Sequence, residues 1–111
     1  MSTQGFASRQ RFARARRRIT CDLYVDGERH GAIVTDLSAN GLYVRTSKLT
    51  DVGTSVRIVL HEENGEMEVD ARVARWHRMS RHHTTGIPSG LGLQIVAAHE
   101  TYFSMIANLL G

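Results

Sequence analysis

Hydrophobic and polar residues alternate along most of the chain after residue 18, which is the pattern of half-buried β-strands. The first strand is the clearest, because Ile19, Cys21, Leu23 and Val25 all fall on one face. Asp26-Gly27 then predicts a turn, and Glu63-Asn64-Gly65 predicts a hairpin in which the glycine takes a positive φ. The alternation predicts six strands, at about residues 19–25, 32–37, 41–47, 56–60, 67–73 and 91–96.

The hydrophobic period changes from strand-like to helix-like near the C-terminus. Tyr102, Phe103, Ile106, Leu109 and Leu110 fall on one helical face, and Gly111 suits a helix end. Short strands with regular turns, followed by one amphipathic helix, predict a mainly all-β fold. We expect a six-stranded antiparallel β-barrel over residues 19–111, with the C-terminal α-helix packed on an opening or flank of the barrel.

Length and composition limit the alternatives. The chain has 111 residues, enough for one domain, and its hydrophobic and charged fractions of 41% and 23% are those of a soluble globular protein. No hydrophobic run is long enough to cross a bilayer or resembles a secretory signal, so we expect a cytoplasmic protein without membrane insertion. Cys21 is the only cysteine, and its place in a strand predicts a reduced, buried thiol.

Charge is unevenly distributed along the chain. The first 18 residues contain six arginines and no acidic residue, whereas the remainder contains eight lysines and arginines against eleven acidic residues. We interpret residues 1–18 as a flexible arginine-rich arm that meets an anionic ligand or surface. A solvated basic tail without a specific function is the alternative interpretation.

No group of residues predicts catalysis. We find no nucleophile, acid/base pair or metal set at a convincing spacing, so we expect a protein that is not an enzyme and has no cofactor. His77, His82 and His83 are the nearest approach to a zinc site. Adjacent histidines on an extended loop point in different directions, however, and no cysteine or carboxylate completes a tetrahedral set.

A short polar motif, Asp-x-Ser-x-x-Gly, follows the predicted second strand. Asp36 and Ser38 stand two apart, so on an extended strand they face the same side. A carboxylate accepts paired N–H donors such as those on the edge of guanine, and Ser38 can donate or accept. Gly41 would either let a backbone approach closely or take a positive φ. These residue types are also common in plain β-turns, which is the alternative.

Arginines near this motif would add phosphate binding. A guanidinium binds phosphate oxygens or the O6/N7 edge of guanine with two hydrogen bonds, and its flat face stacks on a purine. If the first two strands pair antiparallel across the turn between them, the arm before the first strand comes close to the Asp-x-Ser-x-x-Gly motif after the second. The combination favours a ligand that carries both guanine and phosphate.

The sequence resembles the PilZ domain family of bacterial receptors for the second messenger cyclic di-GMP. The family signature is Arg-x-x-x-Arg before the first strand and Asp/Asn-x-Ser-x-x-Gly after the second, and the segment from Asp36 to Gly41 matches the latter fully. The resemblance covers about residues 9 to 110. It implies a six-stranded barrel with a C-terminal helix, and cyclic di-GMP as the ligand.

The arginine element departs from the family pattern. Alignment on the first strand puts Arg14 on the second family arginine and Gln10 on the first, with Arg9 and Arg11 on either side of Gln10. A shifted alignment, from Arg14 to Arg18, satisfies the spacing literally. By resemblance, Arg14 with Arg9 or Arg11 would hold phosphate and guanine. Asp36 and Ser38 would bond a guanine edge, and Gly41 would permit close approach. Trp76 is expected either to pack in the core or rim, or to contact the ligand.

The resulting functional prediction is a receptor that binds cyclic di-GMP, orders the arm and signals to a partner protein. One alternative is a degenerate PilZ module that binds only protein, because Gln10 replaces the first family arginine. A nucleic-acid-binding barrel is a further alternative, disfavoured because only seven aromatic residues are present. The protein is expected to be a monomer or weak dimer.

Overall fold

The structure is a computed structural model that describes residues 13–79 and 88–111. Six β-strands are followed by one α-helix, in the order expected from the sequence. The elements are β1 Arg14–Val25, β2 Glu28–Ser38, β3 Gly41–Arg45, β4 Ser55–Glu62, β5 Gly65–His77, β6 Gly90–Ala98 and α1 Glu100–Leu110.

The strands form a closed barrel in the order β1-β2-β3-β6-β5-β4, and every neighbouring pair is antiparallel. Closure requires β1 to pair with β4 and β3 to pair with β6, in addition to the hairpins between consecutive strands. Closing the sheet pairs edge strands that would otherwise expose unpaired backbone groups. The predicted antiparallel barrel with a C-terminal helix is confirmed.

The barrel interior consists of the residues whose alternation predicted the strands. Ile19, Cys21, Leu23 and Val25 of β1 are all buried, and each of the other strands contributes alternating hydrophobic residues to the same core. Burial raises the pKa of the Cys21 thiol to about 12, so the side chain is a neutral, packed thiol as expected.

Glycine turns fix two of the hairpins. Asp26 and Gly27 have φ values of 50° and 82°, as a two-residue type I′ hairpin turn requires. Because this turn is so tight, pairing extends to Val25 and Glu28, and the predicted start of β2 near residue 32 is wrong. Gly65 has the expected positive φ, of 127°.

β1 begins at Arg14, five residues earlier than expected. Arg14 lies opposite Ser38 and Arg16 opposite Asp36, so the end of the expected arm is part of the sheet. The sequence pattern did not reveal this extension because none of the side chains from Arg14 to Arg18 is buried; the pairing uses the backbone. A register shift between Arg16 and Ile19 separates this charged extension from the alternating part of β1.

The helix α1 contacts β1, β5 and β6. His99 caps its start by accepting a hydrogen bond from the Thr101 backbone N–H, at 3.1 Å. Tyr102 and Ile106 are buried in the core, as the helical stripe predicts. Phe103 and Leu110, which share the predicted helical face, are exposed, so only part of that face packs on the barrel.

Candidate functional site

The turn between β2 and β3 is held by the hydroxyl of Ser38. This side chain is 3% exposed; its hydroxyl donates to Asn40 Oδ1 at 2.8 Å and accepts from the Gly41 N–H at 3.1 Å. Asp, Ser and Asn are favoured in turns because such side chains bond nearby backbone groups. The hydroxyl therefore has a structural task in the described structure, and a bond from Ser38 to a guanine edge stays a prediction.

Gly41 is required by close packing between strands. A Cβ on this residue would lie 2.8 Å from the Leu93 carbonyl oxygen of the neighbouring strand β6, closer than real Cβ atoms come. The alternative expectation of a positive φ is wrong, because Gly41 is extended backbone within β3. The close approach is made to β6, and an approach by a ligand stays a prediction.

The C-terminal helix contacts the same turn through one buried side chain. The hydroxyl of Tyr102, a fully buried side chain, donates to the Ser38 carbonyl oxygen at 2.8 Å. A buried carbonyl needs such a partner, since an unpaired one costs free energy. A hydrogen bond thus links α1 to the start of the β2–β3 turn.

Asp36 and the first residues of β1 line one broad cleft, of about 1070 Å³. The Asp36 carboxylate lies 3.7 Å from Nε of Arg16, and it is the one carboxylate among the described lining residues. The arginine segment therefore lies beside the motif at the end of β2, as the predicted antiparallel pairing of the first two strands requires. The basic residues that line the cleft are Arg14, Arg16, Arg17, Arg18, Arg45, Arg75 and His77.

A smaller cleft of about 320 Å³ adjoins the first one. Asp36, Ser38 and Gly41 all line it, so the three motif residues share this space, together with Arg14. Arg14, Asp36, Tyr43 and Arg75 line both clefts. The two clefts are therefore parts of one basic surface that is continuous from β1 to β5.

The remaining expected site residues are placed as follows. Arg18 lines the larger cleft, and so does Trp76, which is 49% exposed and therefore excluded from the core. Arg9, Gln10 and Arg11 lie outside the described residues. His77 lies at the end of β5, whereas His82 and His83 are also outside the described residues.

Tyr43, Arg45 and Arg75 belong to the cleft but were missed from the sequence. The available signal was alternation, because Tyr43 and Arg45 flank the buried Val44 on the strand that directly follows the motif. Burial raises the pKa of the Tyr43 phenol, and the positive charges of Arg75 and Arg45 partly oppose this. The neutral phenol donates to the Pro88 carbonyl oxygen at 2.6 Å.

This arrangement can bind anions and planar groups. Arginine forks bind phosphate or carbonyl edges, the exposed Trp76 ring offers a stacking surface, and the half-buried Asp36 carboxylate accepts N–H donors. In residues 13–79 and 88–111, no group of three or more His, Cys, Asp or Glu is placed to hold a metal ion. No helix in the described part of the chain is long and apolar enough to span a membrane.

Comparison with known families gives a match along nearly the whole chain. A family model described as the PilZ domain matches residues 8–111. No curated protein matches the chain significantly.

Solved structures with the same fold have low sequence identity. The Bacillus subtilis inhibitor of motility (MotI/DgrA) has a TM-score of 0.73 and 16% identity over 92% of this chain, which spans only 49% of that protein. The PilZ domain of YcgR from Escherichia coli, solved with c-di-GMP, has a TM-score of 0.66 and 15% identity, covering 89% of this chain and 86% of that one. The PilZ domain of CeSA from a cellulose-synthesizing bacterium has a TM-score of 0.60 and 19% identity, covering 89% and 96%.

Proposed function

The chain belongs to the PilZ domain family, and we propose that it is a receptor for cyclic di-GMP rather than an enzyme. The observation that carries the proposal is the pairing of β1 with β2. It sets Arg14 opposite Ser38 and Arg16 opposite Asp36, so the arginine segment and the Asp-x-Ser-x-x-Gly motif border one cleft. The similar YcgR domain, solved with c-di-GMP, supports the same ligand.

Each part of the ligand has a matching group in the cleft. We assign the phosphates to Arg14, which lines both clefts, together with Arg9 or Arg11, which lie outside the described residues. We assign a guanine edge to Asp36, which also lines both clefts. Trp76 offers its exposed ring for stacking on a base. Ser38 and Gly41 act through the shape of the turn, in addition to any direct contact.

Signalling would follow from neutralisation of this basic surface. Arginines that repel one another in the free protein can approach one another once phosphates lie between them. We propose that the ligand thereby orders the residues before Arg14 across the cleft and presents a new surface to a partner protein. The similarity to an inhibitor of motility supports regulation through a protein partner.

A calorimetric titration with cyclic di-GMP tests the proposal, with GTP and cyclic di-AMP as controls. We expect saturable binding to cyclic di-GMP alone, weakened at least about tenfold in Arg14→Ala, because a hydrogen bond to a charged group contributes about 1.5–3 kcal/mol. Arg14 is exposed, so the ligand-free melting temperature of Arg14→Ala should stay close to that of the wild type.

Two other results would replace the proposal. Absence of binding to cyclic di-GMP would mean that the fold is kept without the ligand, and would favour a module that binds only protein. Steeply salt-dependent binding to unrelated oligonucleotides, without cyclic di-GMP binding, would favour a nucleic-acid-binding barrel.

A further inference from the structure

A row of outward-facing residues crosses five strands of the barrel beneath the cleft. Arg16 on β1 lies opposite Asp36 on β2, Asp36 opposite Tyr43 on β3, Tyr43 opposite Gly92 on β6, and Gly92 opposite Arg75 on β5. Neighbouring strands lie about 4.8 Å apart, so the row is about 19 Å long. It begins and ends with an arginine, and Gly92 is its one member without a side chain.

Gly92 leaves a gap in this row that the side chain of Arg75 fills. A Cβ on Gly92 would lie 2.9 Å from Cγ, 3.0 Å from Cζ and 3.2 Å from Nε of Arg75. The Arg75 side chain therefore runs flat across the Gly92 backbone, which is buried although its position in β6 faces outward. The direction of this run, from β5 over β6, takes the guanidinium towards Tyr43 and Asp36.

The Arg75 side chain packs on the Gly92 backbone, and no carboxylate among the described residues pairs with its guanidinium. It forms no ion pair with residues 13–79 or 88–111, whereas Arg16 is paired with Asp36 and Arg17 with Glu62. Arg75 is exposed and lines both clefts, as Arg14 does on the opposite side. A fixed cation that faces open space in a basic cleft is suited to an anionic group of a ligand.

We infer that Arg75 binds a phosphate of the ligand from the side of the cleft opposite Arg14, and that Gly92 is the positioning residue that holds it there. This inference rests on the proposed function, because the ligand is the same. The packing of Arg75 on backbone restricts its rotamers before binding, so less conformational entropy is lost when the ligand arrives. Because the Arg75 side chain lies against the Gly92 backbone, it does not project into the cleft, and the space above it stays open for the ligand.

Four variants and a double variant test the inference, with cyclic di-GMP titrated into each. We expect Arg75→Ala to weaken binding at least about tenfold, as loss of a charge-assisted hydrogen bond would. Gly92→Ala should also weaken binding, although Arg75 is still present, because the new methyl group displaces it. Arg72→Ala on the same strand and Gly31→Ala, where a Cβ meets nothing within 4 Å, are the matched controls and should bind like the wild type.

The double variant separates positioning from a general effect on the fold. If Gly92 acts only through Arg75, then Gly92→Ala will have no further effect in the Arg75→Ala background. Additive losses would contradict the positioning role. If Gly92→Ala fails to fold, as a melting curve would show, Arg75→Ala alone still decides whether Arg75 binds the ligand.

The outcomes distinguish this inference from the proposed function. Wild-type binding that is unchanged in Arg75→Ala would overturn the role of Arg75 and leave the receptor function intact. A wild-type protein that does not bind cyclic di-GMP would overturn both. Binding that is lost equally in Arg75→Ala and in the Arg72→Ala control would show a dependence on net charge alone, and would also overturn the inference.

Discussion

Ser38 contributes to the Asp-x-Ser-x-x-Gly motif by holding the conformation of its turn. Its hydroxyl is buried and bonded within the turn, whereas the Asp36 carboxylate, two residues earlier, faces the cleft and an exposed arginine. The spacing of the two residues predicted a shared side, and both do line the smaller cleft. The two residues nevertheless differ in what their removal should do.

We expect Ser38→Ala to lower the free energy of unfolding by about 1–2 kcal/mol, because the Gly41 N–H loses its acceptor. Ligand affinity should fall with it, since the turn that borders the cleft loosens. Asp36→Ala is the matched variant. Loss of its ion pair with the exposed Arg16 should change the free energy of unfolding by less than about 1 kcal/mol, while ligand affinity should still fall. Urea denaturation of both variants measures this; equal stability losses would contradict the assignment.

The motif residues could be identified from sequence, but the residues across the cleft could not. Asp36 and Gly41 belong to a local motif whose residue types reveal it. Arg75 comes close to these residues only because β5 pairs with β6 and β6 pairs with β3. The direction of its side chain depends on the absence of a Cβ at Gly92. Such long-range register leaves no local pattern in the sequence.

At the scale of elements, alternation located all six strands and failed at their ends. β1 was expected to start at residue 19, yet pairing begins at Arg14, because backbone hydrogen bonds do not require hydrophobic side chains. The helix was located correctly, but two of the five residues of its hydrophobic stripe, Phe103 and Leu110, are exposed. Hydrophobic period therefore predicts which elements exist, while tertiary contacts decide where they end and which faces they bury.

The link between α1 and the β2–β3 turn gives a prediction at this scale. Tyr102→Phe removes the hydroxyl that donates to the Ser38 carbonyl, so we expect unfolding free energy to fall by about 1–2 kcal/mol. Tyr24→Phe is the control, since the Tyr24 hydroxyl has no hydrogen-bond partner among the described residues. Thermal melting measures both. A Tyr102→Phe melt that matches the control would show that the helix does not stabilise the turn.

At the scale of the whole molecule, the charges are sorted between two faces. The cleft is bordered by arginines of β1, β3 and β5 and by one carboxylate among the described residues. A groove on another part of the barrel is lined by two arginines and by five carboxylates, those of Asp22, Asp26, Glu66, Glu68 and Asp70. Many of these acids are paired with neighbouring cations, for example Asp70 with Arg57 at 3.2 Å. The uncompensated positive charge of the described structure is therefore concentrated at the cleft.

This distribution predicts a salt-dependent affinity for cyclic di-GMP. Because the arginines of the cleft are largely exposed, raising NaCl from about 0.05 M to about 0.5 M should screen them and weaken binding several-fold. Arg45→Ala should reduce this dependence, whereas Arg72→Ala, outside the cleft, should not. Calorimetric titrations at both salt concentrations measure it. An affinity independent of salt would contradict a binding mode based on these arginines.

Binding of cyclic di-GMP in the cleft between β1 and the β2–β3 turn can be located by an NMR titration of the ¹⁵N-labelled protein. We expect saturable shifts of the amide signals of Asp36, Gly41, Tyr43 and Trp76, with the signals of the acidic groove around Glu68 unchanged. Shifts confined to the acidic groove, or no shifts at saturating ligand, would contradict it.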